Sequence, residues 1–536
     1  MTHLERNDVG WRAIPQPTSF RPTGGGWAPK RVRVVAATTA LRREAARIEA
    51  ELAAVDIAPA NTAADPALRL TLTPLAAERR GSRVELTPST GAPPESSSED
   101  RRNRREAKRD ALSDESFRIH IADDVTITAA SPVGVFRATR QLLHNLRAQG
   151  AVPRGVVISM PAVAERGLHL DAGRKHYPAA WIIEQLHAAA DIGVNVFQWH
   201  FSENEGFRLE SKAFPEIVSA DRITRAEAAE IVATARDLHI DLVPSLDMPG
   251  HLRHALCAHP ELRLPEAAGL DTDHALDITR EDPVRFALAL IDDMTPVFPH
   301  STRWNLGGDE FVDFDRIAEY PALAAAAVER YGADGTGFDL LTAFVNRVAA
   351  HLRERGFGAR AWNDGLLRST AERLDPEVVL TWWTNWNAHM RPVADAVAAG
   401  HRLVNVNDAL CYYVLGENAG YGYPTAERIW AADWHPGLFP ALWGSEGQST
   451  VRQELTRPYP ALLLGTLFAV WSDRPDAQTP AEVAEGIRGP LRAMAERAWN
   501  AGSALSLEGF ATLDAAIGEP PVVERASAQP KRDETR

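Results

Sequence analysis

Several features are scarce in this chain of 536 residues, and each scarcity excludes a class of protein. Only two cysteines occur, Cys257 and Cys411, and they lie far apart, so a disulfide framework and a structural zinc site are not expected. Lysine and arginine number 58 against 72 aspartate and glutamate, which gives a formal charge of −14. This excess of negative charge argues against a nucleic-acid partner, because binding to phosphate backbones depends on basic surfaces.

Long apolar runs are also missing. No stretch of about 18 apolar residues, the length needed to cross a membrane, occurs in the chain. The polar N-terminal segment lacks the apolar centre of about 7 to 15 residues that marks an export signal. The sequence therefore predicts a chain without a membrane partner, cytoplasmic as written, or secreted if a signal has been removed.

The composition that is present, 45% hydrophobic and 24% charged residues, is typical of a large globular protein. Residues 1–160 predict a small α/β domain. Its expected strands and helices are strands at 32–39, 68–74, 117–121 and 125–129, and helices at about 40–54 and 134–148. The charged segment near 91–115 has almost nothing apolar and predicts a disordered surface insertion, because burial cannot offset its ordering entropy.

From residue 161 to about 505, short apolar segments alternate with stretches of helical periodicity, which predicts an α/β fold with parallel strands. The candidate strands are 166–171, 194–200, 240–246, 303–308, 360–364, 378–383, 402–407 and 464–471. Eight such units favour a (β/α)8 TIM barrel over a doubly wound sheet. No glycine-rich phosphate-binding motif follows any of these strands, so nucleotide binding has no support. No metal or organic cofactor is implied. Residues 506–536 are expected to form a C-terminal tail.

A barrel of this kind builds its active site at the carboxyl ends of the strands, so polar residues at the ends of the apolar runs are the candidates. These are mainly carboxylates and aromatic residues: Arg166, Asp171, His200, Glu203, Glu205, Asp247, His251, Asp309, Glu310, Trp362, Asn363, Asp364, Trp382, Trp383, Tyr412, Tyr413, Trp471 and Asp473. Carboxylates act as acid and base on glycosidic bonds, and indole faces pack on sugar rings. The pattern favours a carbohydrate site.

Each candidate taken alone has a structural alternative. A strand-end aspartate is commonly a helix cap, and of the neighbours Trp382 and Trp383 at least one is expected to face the helix layer. The Gly-Gly-Asp-Glu run that ends at Glu310 is harder to explain structurally. Two adjacent carboxylates at the end of a hydrophobic strand cost stability, so a function is the better explanation.

Six motifs together resemble glycoside hydrolase family 20, the β-N-acetylhexosaminidases: WNLGGDEF, RGLHLDAGRKHYP, FQWHFSENEGFRLES, LVPSLDMPGH, ARAWNDG and FAVWSD. The resemblance extends from about residue 160 to 500. The sequences HFSENEGFRLES and GGDEF are more similar to the bacterial branch that includes dispersin B and lacto-N-biosidase-like enzymes. The resemblance implies a retaining exo-glycosidase that releases terminal GlcNAc or GalNAc from a glycan. In this family the substrate's own acetamido oxygen attacks C1 and forms an oxazolinium intermediate.

The resemblance also implies residue roles. Glu310 would be the general acid and base, Asp309 would orient the acetamido group, and Tyr412 would donate a hydrogen bond to its oxygen. Side chains expected to bind the sugar are Arg166, Trp362, Trp383, Trp471 and Asp473. Residues expected to tune the catalytic pair from behind are His200, Glu203, Asp247 and His251. The sequence around these adjacent tyrosines also allows a one-residue shift, which would give the role of Tyr412 to Tyr413.

The chain departs from the usual family pattern at Asn305, where histidine is common, and at Gln198, His200 and Glu203, where the family has His-x-His-x-x-Asp. These differences affect the residues behind the catalytic pair rather than the pair itself. Two other functions stay open: a binding barrel that has lost catalysis, and a glycosidase whose nucleophile is Glu203 or Glu205. The aromatic segment 411–462 suits either a substrate wall or a subunit interface, so the oligomeric state stays open.

Overall fold

The computed structural model of the chain describes residues 10–80, 83–88, 112, 114–386, 389–443 and 450–521. Most of the charged insertion predicted near 91–115 lies outside the described residues. The described residues up to 88, from 114 to 160 and after 510 belong to one compact unit, and residues 112 and 161–510 belong to a second. No helix in the described part of the chain is long and apolar enough to cross a bilayer.

The first unit is built on a mixed sheet of seven strands in the order β1-β9-β7-β8-β4-β2-β3. Its strands are β1 Ser19–Trp27, β2 Arg31–Ala36, β3 Ala58–Pro59, β4 Ala67–Leu72, β7 Phe117–Ile121, β8 Val125–Ala129 and β9 Val152–Ser159, and a separate hairpin is formed by β5 Leu75–Arg80 and β6 Arg83–Pro88. Two helices, α1 Arg42–Ala53 and α2 Pro132–Gln149, belong to this unit. The predicted small α/β domain is therefore confirmed.

Local sequence explains these elements. In β7 and β8, buried residues alternate with less buried ones, which is the period of a strand with one face in the core. The Ser131 side chain caps α2 by accepting from the backbone N–H groups of Val133 and Gly134. The helix ends at Gly150, whose φ of 69° is the left-handed conformation that glycine adopts readily.

The second unit is a closed barrel of eight parallel strands: β10 Glu165–Asp171, β11 Val196–Glu203, β13 Asp241–Met248, β14 Arg303–Gly307, β15 Gly358–Trp362, β16 Val379–Trp382, β17 Leu403–Asn405 and β21 Leu463–Trp471. Parallel pairing of β10 with β21 closes the ring. All eight predicted strands are present, and the predicted TIM barrel is confirmed. These strands are buried over nearly their whole length, because side chains inside the barrel cover one face and helices outside it cover the other.

The helices of the second unit follow the strands along the chain: α3 Ala179–Asp191, α4 Arg225–Asp237, α5 Arg253–Ala258, α6 Glu281–Met294, α7 Pro321–Tyr331, α8 Gly337–Glu354, α9 Val393–Ala399, α10 Asp408–Cys411, α11 Ala426–Ala431 and α12 Pro480–Asn500. Short strands β12 Gly206–Phe207 and β18 Tyr412–Val414 extend the barrel sheet near its rim. A hairpin pairs β19 Leu438–Trp443 with β20 Thr450–Glu454. The segment 411–462 is thus less irregular than its sequence indicates.

The expected C-terminal tail contains a helix, α13 Leu507–Ile517. Phe510, Leu513 and Ile517 are buried, and their spacing places them on one helical face. The prediction missed this helix because its apolar face extends over little more than two turns.

Candidate active site

The turn that follows β14 carries the carboxylate pair. Gly307 and Gly308 have φ values of 83° and 90°, a region that side chains with a Cβ rarely adopt. A Cβ on Gly307 would lie 2.7 Å from the Cα of Asp247, so no larger residue fits. Glu310 itself has a φ of 39°, and its backbone N–H donates to Asp364 at 3.0 Å. This strained turn directs Asp309 and Glu310 into one cavity.

His251 links the catalytic pair to the interior. Its Nε2 lies 3.4 Å from Asp309 Oδ2 and 3.5 Å from Glu310 Oε2, and its Nδ1 lies 3.0 Å from Glu203 Oε1. Burial acts to lower the pKa of His251, but the carboxylates of Glu203 and Asp309 outweigh it and hold this pKa well above its usual value. A protonated imidazole therefore lies beside both carboxyl groups.

The environments of the two carboxyl groups differ. Asp309 is buried, and its Oδ1 has no hydrogen-bond partner among the described residues. The Glu310 side chain is 48% exposed, yet desolvation of its carboxyl by the cavity walls raises the pKa of Glu310. Asp309 raises that pKa further, while His251 opposes the shift. Glu310 is thus the group suited to carry a proton, and Asp309 the group suited to accept a hydrogen bond.

Arg174 forms the cationic side of the cavity. Its Nη1 lies 3.0 Å from Asp171, its Nη2 2.7 Å from Glu203 and its Nε 3.4 Å from Glu205. Burial acts to raise the pKa of Glu203, but Arg174 and His251 outweigh it and hold that pKa well below its usual value. Glu203 also accepts the backbone N–H of Asn204 at 2.6 Å, so its oxygens are fully engaged.

Asp247 and His200 lie behind the pair. His200 Nδ1 is 3.1 Å from Ser245 Oγ and 3.6 Å from Asp247 Oδ1. Desolvation raises the pKa of Asp247 to about 7, with His200 opposing and Asp309 adding to the shift. Asp364 behaves similarly: desolvation, with help from Asp309, raises its pKa to about 8. These raised pKa values favour the neutral forms of the two buried carboxyl groups, which limits repulsion around Asp309.

Four of the predicted aromatic side chains line the cavity: Trp362, Trp383, Tyr412 and Trp471. Trp383 and Tyr412 stack with an interplanar angle of 1° and a centroid distance of 5.8 Å. Trp383 is fixed by a bond from its indole N–H to Asp364 at 3.1 Å. Its neighbour Trp382 faces the other way and packs on Phe439, in agreement with strand alternation.

The register at β18 is unambiguous in the structure. Tyr412 lines the cavity, whereas the hydroxyl of Tyr413 accepts from Gln478 at 3.0 Å and its ring stacks on Tyr423. Burial raises the pKa of Tyr412 well above its usual value, so its hydroxyl keeps its proton and can donate. Of the two adjacent tyrosines, only Tyr412 is positioned to contact a ligand in this cavity.

Arg166 was predicted to hold sugar hydroxyls, but in the structure it does not line the cavity. It lies at the start of β10, fully buried, where Nε donates to Gly193 at 2.9 Å and Nη1 to Val163 at 2.7 Å. Its guanidinium also covers the Trp499 ring at 4.8 Å. Arg166 precedes the apolar run, whereas the cavity lies at the carboxyl end of the strand. The arginine at that end is Arg174, three residues past Asp171.

Further cavity residues were missed because they lie outside strands. Tyr421 donates to Asp408 at 3.1 Å, and Trp386 packs edge-on against Trp383 at 4.5 Å. Asp473, which was predicted, lines the cavity and accepts from Asn418 at 3.3 Å. The motif GRK after β10 and the aromatic residues of the 411–462 segment were signals for Arg174 and Tyr421. The cavity that all these residues enclose has a volume of about 160 Å³.

The departures at Gln198 and Asn305 lie beneath the cavity. Gln198 Nε2 is 3.0 Å from Nδ1 of His169 on the neighbouring strand, and His169 packs 4.5 Å from the Trp471 ring. Asn305 accepts the backbone N–H of Gly307 at 3.1 Å. The altered residues therefore support one cavity wall and the turn, and neither touches the cavity.

One group in the described part of the chain has a spacing suited to a metal ion: Asp271, Asp273 and His274. Arg253 already lies 3.1 Å from Asp271 and 2.6 Å from Asp273, and it offsets part of their negative charge. This arrangement is explained by ion pairing alone.

Comparison with known proteins identifies the family. The model of the glycosyl hydrolase family 20 catalytic domain matches residues 164–502, and that of the family's domain 2 matches residues 11–159. Lacto-N-biosidase of Bifidobacterium bifidum is 27% identical over 402 residues, which are 74% of this chain and 34% of that protein. A β-hexosaminidase of Vibrio furnissii is 26% identical over 239 residues, 39% of either chain. The chain thus spans well under half the length of these relatives.

Solved structures share the fold. The exo-β-N-acetylglucosaminidase of Vibrio harveyi, determined with N-acetylglucosamine, has a TM-score of 0.71 at 16% identity, over 96% of this chain and 78% of that one. The β-N-acetylhexosaminidase of Streptomyces coelicolor has a TM-score of 0.67 at 20% identity, over 97% and 98% of the two chains. The two domain matches define a glycoside hydrolase. The chain belongs to glycosyl hydrolase family 20.

Proposed function

We propose that the chain is a retaining exo-glycosidase that removes terminal β-linked N-acetylhexosamine by substrate-assisted catalysis. The observation that carries the proposal is the buried Asp309 Oδ1, an acceptor without a partner in the described structure, beside Glu310 in an aromatic cavity. A buried acceptor of this kind is costly until a ligand donor reaches it. The N–H of a sugar's 2-acetamido group is such a donor.

The proposed mechanism assigns the first proton transfer to Glu310, whose raised pKa suits a general acid. As Glu310 protonates the glycosidic oxygen, the acetamido oxygen attacks C1 and the bond to the leaving group breaks. Asp309 accepts the acetamido N–H and stabilises the positive charge on the oxazolinium ring, and Tyr412 donates to the acetamido oxygen. Glu310, now a carboxylate, then deprotonates the water that opens the ring.

The other residues of the cavity hold the sugar in this proposal. Trp362, Trp383 and Trp471 pack on the acetamido group and the apolar face of the ring. Arg174 and Asp473 bind hydroxyl groups, with the arginine presenting several donors in a fixed plane. His251, Glu203, Asp247 and His200 position and polarise the catalytic pair.

A protein nucleophile has little support in this geometry. Glu203 is buried and its oxygens are engaged by Arg174, His251 and the N–H of Asn204. Glu205 pairs with Arg174 at 3.4 Å and does not line the cavity. A binding protein without catalysis is equally disfavoured, since both members of the Asp309–Glu310 pair are present.

The test is release of nitrophenol from the β-linked GlcNAc, GalNAc and glucose derivatives, measured side by side. We expect rapid release from at least one acetamido sugar and almost none from the glucoside. A nitrophenyl lacto-N-bioside, chosen because of the similarity to lacto-N-biosidase, distinguishes release of a disaccharide from release of a single sugar. Comparable turnover of the glucoside would contradict the proposal.

A further inference from the structure

The backbone of Glu310 is held by a side chain on each side. Its N–H donates to Oδ2 of Asp364 at 3.0 Å, and Nε2 of His274 lies 3.3 Å from its carbonyl oxygen. A carbonyl oxygen can only accept, so Nε2 of His274 carries the hydrogen of this bond whether the ring is neutral or charged. The N–H and the C=O belong to the two planar peptide groups that flank the Cα of Glu310, so the two bonds restrain both of its backbone dihedrals.

The conformation of Glu310 makes this restraint necessary. Its φ of 39° lies in the left-handed region, which a residue with a Cβ keeps only where its surroundings hold it there. The side chain is about half exposed, and its Oε2 lies 3.5 Å from Nε2 of His251, which is a long contact. The direction of the carboxyl group therefore depends mainly on the backbone from which it extends.

The segment that carries His274 is itself anchored beside the turn. The carbonyl of His274 accepts the backbone N–H of Leu252 at 3.0 Å, and the N–H of Leu276 donates to the carbonyl of Pro249 at 2.8 Å. Two backbone bonds thus join this segment to the one that follows β13. The His274 side chain is only 13% exposed, so its ring has little freedom to move away from the carbonyl of Glu310.

The two halves of the clamp differ in what else they touch. Asp364 is buried, and its other oxygen, Oδ1, accepts the indole N–H of Trp383, so it also holds a wall of the cavity that contains Asp309. His274 does not line that cavity. A change at His274 therefore alters the backbone of Glu310 while leaving the walls around the sugar in place.

We propose that His274 is a positioning residue for the general acid: together with Asp364 it clamps the peptide groups on either side of Glu310 and holds the carboxyl group within reach of the glycosidic oxygen. This inference rests on the proposed function. A small displacement of a catalytic group is costly, because proton transfer needs a defined donor–acceptor geometry. Loss of the His274 N–H should therefore weaken proton donation and spare the attack by the acetamido group.

Substrates that differ in their need for a proton test this role. His274→Phe removes the N–H and keeps a ring of similar size, whereas His274→Gln returns an N–H donor. On methyl β-GlcNAc, whose alcohol leaving group needs a proton, we expect His274→Phe to lower kcat/KM about 10- to 100-fold, and on dinitrophenyl β-GlcNAc less than about threefold. His274→Gln should recover most of the loss. Equal losses on the two substrates, or no loss on either, would overturn the proposal.

The matched control is His401→Phe. His401 is buried, and its Nδ1 lies 3.2 Å from the carbonyl oxygen of Val378, so it too faces a backbone carbonyl, but it does not line the cavity that contains Asp309. We expect His401→Phe to lower the melting temperature and to keep the wild-type ratio of kcat/KM for the two substrates. A changed ratio in this control would mean that the ratio follows stability, which would overturn the inference from His274→Phe.

A double variant separates failure of this proposal from failure of the proposed function. Glu310→Gln has no proton to give, so the loss that His274→Phe causes on the fluorogenic methylumbelliferyl β-GlcNAc should disappear when both substitutions are combined. An equal loss in both backgrounds would show that His274 acts elsewhere, and would overturn the clamp while the proposed function stands. If Glu310→Gln alone keeps wild-type turnover of methyl β-GlcNAc, the proposed function fails, and this inference fails with it.

Discussion

Substitution of Glu310 by glutamine separates proton donation from every other property of the side chain. The amide is nearly isosteric with the acid, and the backbone N–H of Glu310 keeps its bond to Asp364. The side chain is 48% exposed and lies 3.5 Å from His251, so the fold depends little on its charge. Glutamine cannot give a proton to the glycosidic oxygen, so turnover should fall while binding is retained.

The magnitude follows from the value of general acid catalysis, about 10² to 10⁴-fold, or about 3 to 5 kcal/mol of transition-state stabilisation. We expect this loss for a GlcNAc-β-1,4-GlcNAc disaccharide, whose leaving alcohol needs a proton. A nitrophenyl glycoside should lose less, because its leaving group departs as a weakly basic phenolate. The assay measures kcat for both substrates with melting temperature as the control. A folded variant that retains more than about a tenth of the wild-type rate on the disaccharide would refute the role of Glu310.

Three further predictions concern neighbouring groups. Arg174→Lys keeps the charge beside Glu203 but loses the planar fork of donors, so kcat/KM should fall about 10- to 150-fold. Arg166→Lys should act mainly on stability, lowering the melting temperature while reducing kcat/KM less than Arg174→Lys does. A larger loss of kcat/KM in Arg166→Lys than in Arg174→Lys would contradict our placement of the two arginines. Tyr412→Phe should reduce kcat strongly and Tyr413→Phe only slightly; equal effects would refute the register at β18. Burial raises the pKa of Asp364 to about 8, so between the ordinary aspartate pKa and this value the folded state holds a proton that the unfolded state releases. Stability should therefore decline as the pH rises from about 4 to 8 and level off above 8, and Asp364→Asn should flatten that slope in thermal melts.

The barrel was predictable because each strand is a compact apolar run bounded by polar residues, a pattern that a buried parallel strand imposes. The Gly-Gly-Asp-Glu turn was equally accessible, since two glycines and two adjacent carboxylates end an apolar run. The structure adds that a Cβ at position 307 would collide with Asp247. The Arg166 prediction failed because it assigned a residue at the amino end of a strand to a cavity that lies at the carboxyl ends. Arg166 lies at the amino end of β10, and Arg174 lies beyond its carboxyl end.

Other features depend on contacts that local sequence does not encode. Trp386 follows β16 in a loop, and its edge-on packing against Trp383 brings its ring to the cavity. The hairpin of β19 and β20 contains a register shift between Phe439 and Leu442, which obscures the alternation that marks a strand. Sequence patterns describe a residue's own element, whereas these positions are determined by neighbouring elements.

The central claim is that the nucleophile belongs to the substrate and that Asp309 serves it. Asp309→Asn should lower kcat far more than it changes KM, because the carboxylate acts mainly on charge that develops in the transition state. The decisive measurement is the inhibition constant of a thiazoline analogue of the bicyclic intermediate, for wild type and Asp309→Asn, with melting temperatures to show that both are folded. We predict strong inhibition of the wild type and weak inhibition of the variant, since the protonated ring nitrogen loses its carboxylate partner. An unchanged inhibition constant in a folded Asp309→Asn protein would contradict substrate-assisted catalysis.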